Sequence, residues 1–150
     1  MPRLTCKPRA GRQQIRKEYH QFGLDLLLMD LPNEVIIAFA KNLTTYPDNK
    51  NACIGLGRGF YQIGSFESAI DAYSHARRGG STCIIEFNLG LVYLRKGDIA
   101  EAKQVYAQAM NFCGDRSDPI GRSIADLQKL RAAGLHIEAT TDIITILNGK

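Results

Sequence analysis

Residues 54–79 read IGLGRGFYQIGSFESAIDAYSHARRG, and within them Gly55, Gly57 and Gly59 alternate ahead of the aromatic pair Phe60 and Tyr61. Glycines in such a row can cradle a phosphate, but a dinucleotide loop needs G-x-G-x-x-G between a strand and a helix. Counted from Gly57 and Gly59 the last position is Gln62, and from Gly55 and Gly57 it is Phe60. Upstream, TTYPDNKNACI holds no β-branched run fit for a buried strand, only a turn signal at Tyr46, Pro47, Asp48 and Asn49. The glycines need another explanation.

That explanation comes from recurrence. A shift of 33 residues pairs Leu56 with Leu89, Gly57 with Gly90, Phe60 with Tyr93, Gly64 with Gly97, Phe66 with Ile99, Ala69 with Ala102, Tyr73 with Tyr106 and Ala76 with Ala109. Self-similarity at one fixed period marks a repeat architecture. Leu56, Gly57 and Phe60 share one side of a helix at three- and four-residue spacing, and Phe66, Ala69, Ile70, Tyr73 and Ala76 share one side of a second. Gly64 and Gly97 then fall where the first helix must end in a left-handed conformation, with Ser65 and Asp98 placed to cap the next. Small Gly57, Ala69 and Ala76 let the backbones approach, and Phe60 and Tyr73 fill the space around them. Only Gly57 of the three alternating glycines recurs, so Gly55 and Gly59 read as incidental helix residues.

With a small residue, an aromatic and two alanines at these offsets, the chain resembles the tetratricopeptide repeat family of helix pairs. Residues 50–82 and 83–114 look like two repeats, with Ser81 and Gly114 where the family usually has proline. Gly23 and Phe39 lie 34 before Gly57 and Tyr73, and Pro47 takes the proline position, so 16–49 looks like a degenerate first repeat. Gly134, Ala139 and Ile143 keep the spacing of Gly97, Ala102 and Tyr106 but arrive four residues late, after GDRSDP. A closing pair spanning 119–147 is expected there, with Ile124, Leu127 and Leu130 on one buried face and Ile137, Ile143 and Leu147 on the other. The expected fold is all-α, an antiparallel helix-pair solenoid of seven or eight helices. The leucine-rich LDLLLMDL at 24–31 is apolar on most of its circumference and is expected to be buried by its neighbours, the alternative being contact with another subunit.

The resemblance also implies a function, because the first helix of each such pair lines a concave groove that takes a peptide. Carried over residue by residue, groove positions fall on Asn51, Ile54, Arg58, Tyr61 and Gln62 in one repeat and on Ile84, Phe87, Asn88, Leu91, Leu94 and Arg95 in the next. Family members that grip acidic chaperone tails use a Lys, Asn and Arg clamp. Here His20 and Leu24 stand in the first clamp positions and only Asn88 agrees, which points away from such tails. A mostly apolar lining suits a hydrophobic or amphipathic segment, with Arg58 and Arg95 for a carboxylate or carbonyls. Phe87, Leu91 and Leu94 fit packing against the next helix pair equally well. The pattern is also similar to the small type III secretion chaperones that shield hydrophobic translocator proteins.

Composition narrows the classes further. At 150 residues, 45% hydrophobic and 23% charged, the chain can bury a core, and no apolar run approaches the ~20 residues of a membrane-spanning helix. The net charge of +4 is concentrated in an N-terminal arm, residues 1–15 and their junction, where Arg3, Lys7, Arg9, Arg12, Arg16 and Lys17 face no acid. These six are candidate contacts for RNA, a ribosome or another anion, the alternative functional reading, although no aromatic precedes Tyr19 for base stacking. The arm lacks the apolar core of a secretory signal, so a cytoplasmic location is expected, while its Arg-rich, acid-free composition also fits an organelle transit sequence. Cys6, Cys53, Cys83 and Cys113 form no C-x-x-C pair, and His20, His75 and His136 show no ligand spacing. Reduced thiols, no metal, no cofactor and no catalytic centre are therefore expected, with another protein or a second copy of the chain as partner.

Overall fold

The computed structural model describes residues 29–114 and 117–149, and these divide into one compact unit ending at Gly80 and another beginning at Ser81. The basic arm with Arg3, Lys7, Arg9, Arg12, Arg16 and Lys17, and residues 16–28 with most of LDLLLMDL, lie outside the described residues. The described residues are all-α, and their seven helices pack as consecutive neighbours within each unit.

The first unit contains α1 (Pro32–Thr45), α2 (Lys50–Gln62) and α3 (Phe66–Arg78). Proline at the start of α1 suits a position with no intrahelical N–H bond to lose, and Val35, Phe39, Asn42 and Leu43 form its buried face. The helix stops at Tyr46, whose N–H donates to the Asn42 carbonyl, and Pro47 follows. Asn49 then has two tasks. Its Nδ2 donates to Asn42 Oδ1 at 2.8 Å, and its Oδ1 accepts from the Ala52 N–H at 3.4 Å, tying the end of α1 to the cap of α2.

Helix α2 lies against α1 on one side and α3 on the other, and its alternating glycines serve both contacts. A Cβ on Gly57 would meet the Tyr73 ring of α3 at 2.7 Å. One on Gly55 would collide with the Phe39 ring of α1, and one on Gly59 would meet Ile36 at 2.8 Å. Gly55 and Gly59 are thus packing residues, contrary to what their lack of recurrence suggests. Two residues advance a helix by about 200°, so positions i and i+4 face one neighbour while i+2 faces the other. At the far end of the pair, Lys50 Nζ donates to the Gly80 carbonyl, so α2 and α3 run antiparallel.

The second unit contains α4 (Cys83–Lys96), α5 (Ile99–Cys113), α6 (Ser117–Ala132) and α7 (Ile137–Leu147). It repeats the central contact, because a Cβ on Gly90 would meet the Tyr106 ring at 2.7 Å. Thr82 Oγ1 caps α4 by accepting from the Ile85 N–H at 3.3 Å, and the Ser81 hydroxyl donates to the buried Glu86 carboxylate. Phe87, Leu94, Ala102, Tyr106, Ala109, Leu127, Ile143 and Leu147 share one core, so α6 and α7 complete the packing of α4 and α5. Ile124 and Leu130 pack on it from α6. Ile137, expected on the same face, is 55% exposed in the first turn of α7.

All three hairpin turns close alike. Ser65 N–H donates to the Phe60 carbonyl, Asp98 to Tyr93 and Leu135 to Leu130, each at 2.9–3.0 Å, while Gly64, Gly97 and Gly134 bond three residues back. This pattern requires a left-handed residue between the helices, and Gly64 and Gly97 take it at φ 80° and 99°. Ser65 and Asp98 hold the cap positions predicted for them but make no side-chain cap bond. Asp98 pairs instead with Lys96 at 2.9 Å.

The expectation of reduced thiols fails in the second unit. Cys83, the first residue of α4, and Cys113, the last of α5, form a disulfide across a Cα separation of 4.9 Å, and Cys53 is also disulfide-bonded. The pairing follows from the hairpin register, which sets the start of α4 beside the end of α5. Under the chain-entropy treatment, linking residues 30 apart removes about 3–4 kcal/mol of unfolded-state freedom.

Thermal melts distinguish the glycines. Gly90→Leu and Gly55→Leu are expected to lose about 1–3 kcal/mol each by overpacking. Gly121→Ala, on an exposed stretch of α6 with nothing within 4 Å, is expected to gain up to about 1 kcal/mol of helix propensity. Equal melting points for all three would refute the packing roles.

Candidate functional site

Helix α4 is buried on most of its circumference, including Ile85, Glu86, Leu89 and Val92 as well as the residues facing α5. One stripe stays open along most of its length: Ile84, Asn88, Leu91 and Arg95, at positions i, i+4, i+7 and i+11. Phe87 and Leu94 do not belong to it. They are 6% and 0% exposed, and the Phe87 ring lies 5.9 Å from that of Tyr106 in the core. The six α4 positions carried over from the family resemblance therefore divide into four on the surface and two inside.

The corresponding stripe on α2 is Asn51, Ile54, Arg58, Tyr61 and Gln62, all of which reach the surface. Tyr61 is positioned by Phe66 from the start of α3, with ring centroids 6.3 Å apart. Glycine makes this stripe the outward face of α2, because Gly55, Gly57 and Gly59 occupy the positions turned towards α1 and α3. The stripes share three kinds of group in their separate units: an aliphatic side chain, a carboxamide and a guanidinium.

Two electrostatic features belong to these faces. Asn88 Nδ2 is buried and has no hydrogen-bond partner among the described residues. A donor in that state lacks the bond that would offset its desolvation. In the first unit, burial pushes the Tyr73 hydroxyl well above its ordinary value of 10.0, while the Arg58 charge opposes that shift and Tyr61 adds to it. Arg58 thus sits on the surface with its field reaching the core contact beneath it.

Among the described residues no three His, Cys, Asp or Glu side chains gather to hold a metal ion, and no helix is long and apolar enough to cross a membrane. Large exposed apolar side chains outside the stripes are Met29, Ile37, Ile63, Phe112, Leu135 and Ile137. No sequence pattern marks these, since single exposed apolar residues leave no periodic signal. Compared with known proteins, the chain matches no family model and no curated protein.

The Tyr73 shift sets the sign of an alkaline effect. The unfolded chain releases its tyrosine proton near pH 10 while the folded chain retains it, so stability is lost as pH rises above 10. In melts between pH 8 and 11, Tyr73→Phe is expected to show a shallower decline than the parent protein; parallel declines would contradict the assignment.

Proposed function

We propose that this chain is a protein-interaction module of tetratricopeptide type, without catalytic activity, that holds a short amphipathic segment of a partner protein. The observation that carries the reading is the α4 stripe, in which Ile84 and Leu91 alternate with Asn88 and Arg95 on the open side of an otherwise buried helix. Aliphatic positions spaced along one helix face suit the apolar side chains of a bound segment. A guanidinium one turn beyond Leu91 suits a carboxylate. The α2 stripe supplies the same kinds of group from Asn51, Ile54 and Arg58.

The glycine–tyrosine contacts recurring at the same offset in both units support the family resemblance. Oxidised cysteines fit work in an oxidising compartment better than in the reducing cytosol.

Selection from a displayed peptide library tests the reading and needs no named partner. The full chain is expected to enrich segments that combine spaced apolar residues with an acidic residue. Leu91→Glu, confirmed folded by circular dichroism, is expected to weaken the best of them by about tenfold or more, and Arg58→Ala with Arg95→Ala to weaken those bearing the acid. No enrichment by the parent chain, or equal affinity in Leu91→Glu, would overturn the proposal.

A further inference from the structure

Cys83 and Cys113 occupy the open end of the α4–α5 hairpin, opposite the turn at Gly97. That end has no connecting loop. Helix ends carry backbone groups without intrahelical partners and are the first parts of a helix to open. The disulfide supplies the covalent tie that Gly97 and Asp98 supply at the other end. Both cysteines are 2% exposed and share a core with Phe87, Tyr106, Leu127 and Leu147. A dithiol therefore reaches either sulfur only after that end has opened.

We propose that the Cys83–Cys113 pair is a redox-gated clasp on the second unit, closed when oxidised and loosening the open end of the hairpin, with the docking of α6 and α7, when reduced. Two features argue for a gate. Cysteine thiols pack as small apolar groups, so the reduced pair stays compatible with a folded hairpin and the Gly97 turn keeps its order when the other end loosens. Cys113 also leads through Gly114 into α6, and Leu127 of α6 and Leu147 of α7 pack in the cluster that holds the sulfurs. Release of the end of α5 therefore reaches both later helices.

The opening step is a two-electron exchange. One thiolate of a small or protein dithiol attacks one sulfur of the pair and breaks the S–S bond, giving a mixed disulfide. Its second thiol, as the thiolate, then displaces that cysteine, leaving two protonated cysteine thiols and an oxidised reductant. Closure runs the same sequence backwards with an external disulfide as the oxidant.

The test is hydrogen exchange on the full chain equilibrated in glutathione buffers from oxidising to reducing, with a non-reducing digest to follow the bond. The oxidised chain is expected to yield joined peptides containing Cys83 and Cys113. On reduction, exchange in residues 83–86 and 110–113 should accelerate about tenfold or more, while the turn at 94–99 stays unchanged. Because Cys53 is also disulfide-bonded, Cys83→Ala with Cys113→Ala serves as the control. It is expected to exchange rapidly at both segments in oxidising buffer and to show no further redox response there. Separate Cys83 and Cys113 peptides after oxidation, equal exchange in the two redox states, or an undiminished response in the double variant would each overturn the clasp.

Discussion

The contact on which both units depend is an aromatic ring laid against a glycine backbone. Tyr73 covers Gly57 and Tyr106 covers Gly90 at the same close approach, and Phe39 covers Gly55 from the other side of α2. Each ring occupies space where any other residue would place a Cβ. This draws the helix axes together and leaves room around the contact only for small residues such as Ala69, Ala76, Ala102 and Ala109, all fully buried. The turns follow from the same constraint. A short left-handed turn at Gly64 or Gly97 returns the chain in the register that sets the tyrosine over the glycine, and a longer loop would leave that register unset.

Much of this is legible in the sequence because one offset carries it. The shift of 33 links Gly57 with Gly90 and Tyr73 with Tyr106, and in each unit the glycine meets its tyrosine in the structure. Gly55 and Gly59 escape that reading because their partners lie in α1, whose own pair departs from the pattern, so recurrence carries no trace of them. The cysteines escape it although their signal is present. Cys83 lies seven residues before Gly90 and Cys113 seven after Tyr106, so two further helical turns from the glycine–tyrosine contact bring them together. Local C-x-x-C spacing is blind to a pairing that only the hairpin register brings close.

The candidate surface is only partly legible, for a different physical reason. Periodicity distinguishes an apolar face from a polar one, but α4 is apolar nearly all round, so nothing in its pattern separates Phe87 and Leu94 from Leu91. Which of them meets water depends on where neighbouring side chains lie, and Tyr106 settles it for Phe87 by packing against its ring. On α2 the glycines mark the two packed directions and leave the third to Asn51, Ile54 and Arg58. That face follows from composition once Gly55 and Gly59 are assigned to the α1 contact.

The disulfide also alters how the chain bears load. It turns α4, the Gly97 turn and α5 into a closed ring, so tension applied at the two ends of the polypeptide passes from Cys83 to Cys113 through the sulfurs and bypasses the residues between them. The 30-residue separation represents about 100 Å of extended chain at 3.3–3.6 Å per residue, withheld from any stretching while the ring is intact. The α6–α7 pair would lengthen under pull, while the Gly90–Tyr106 contact remains inside a loop that carries no force.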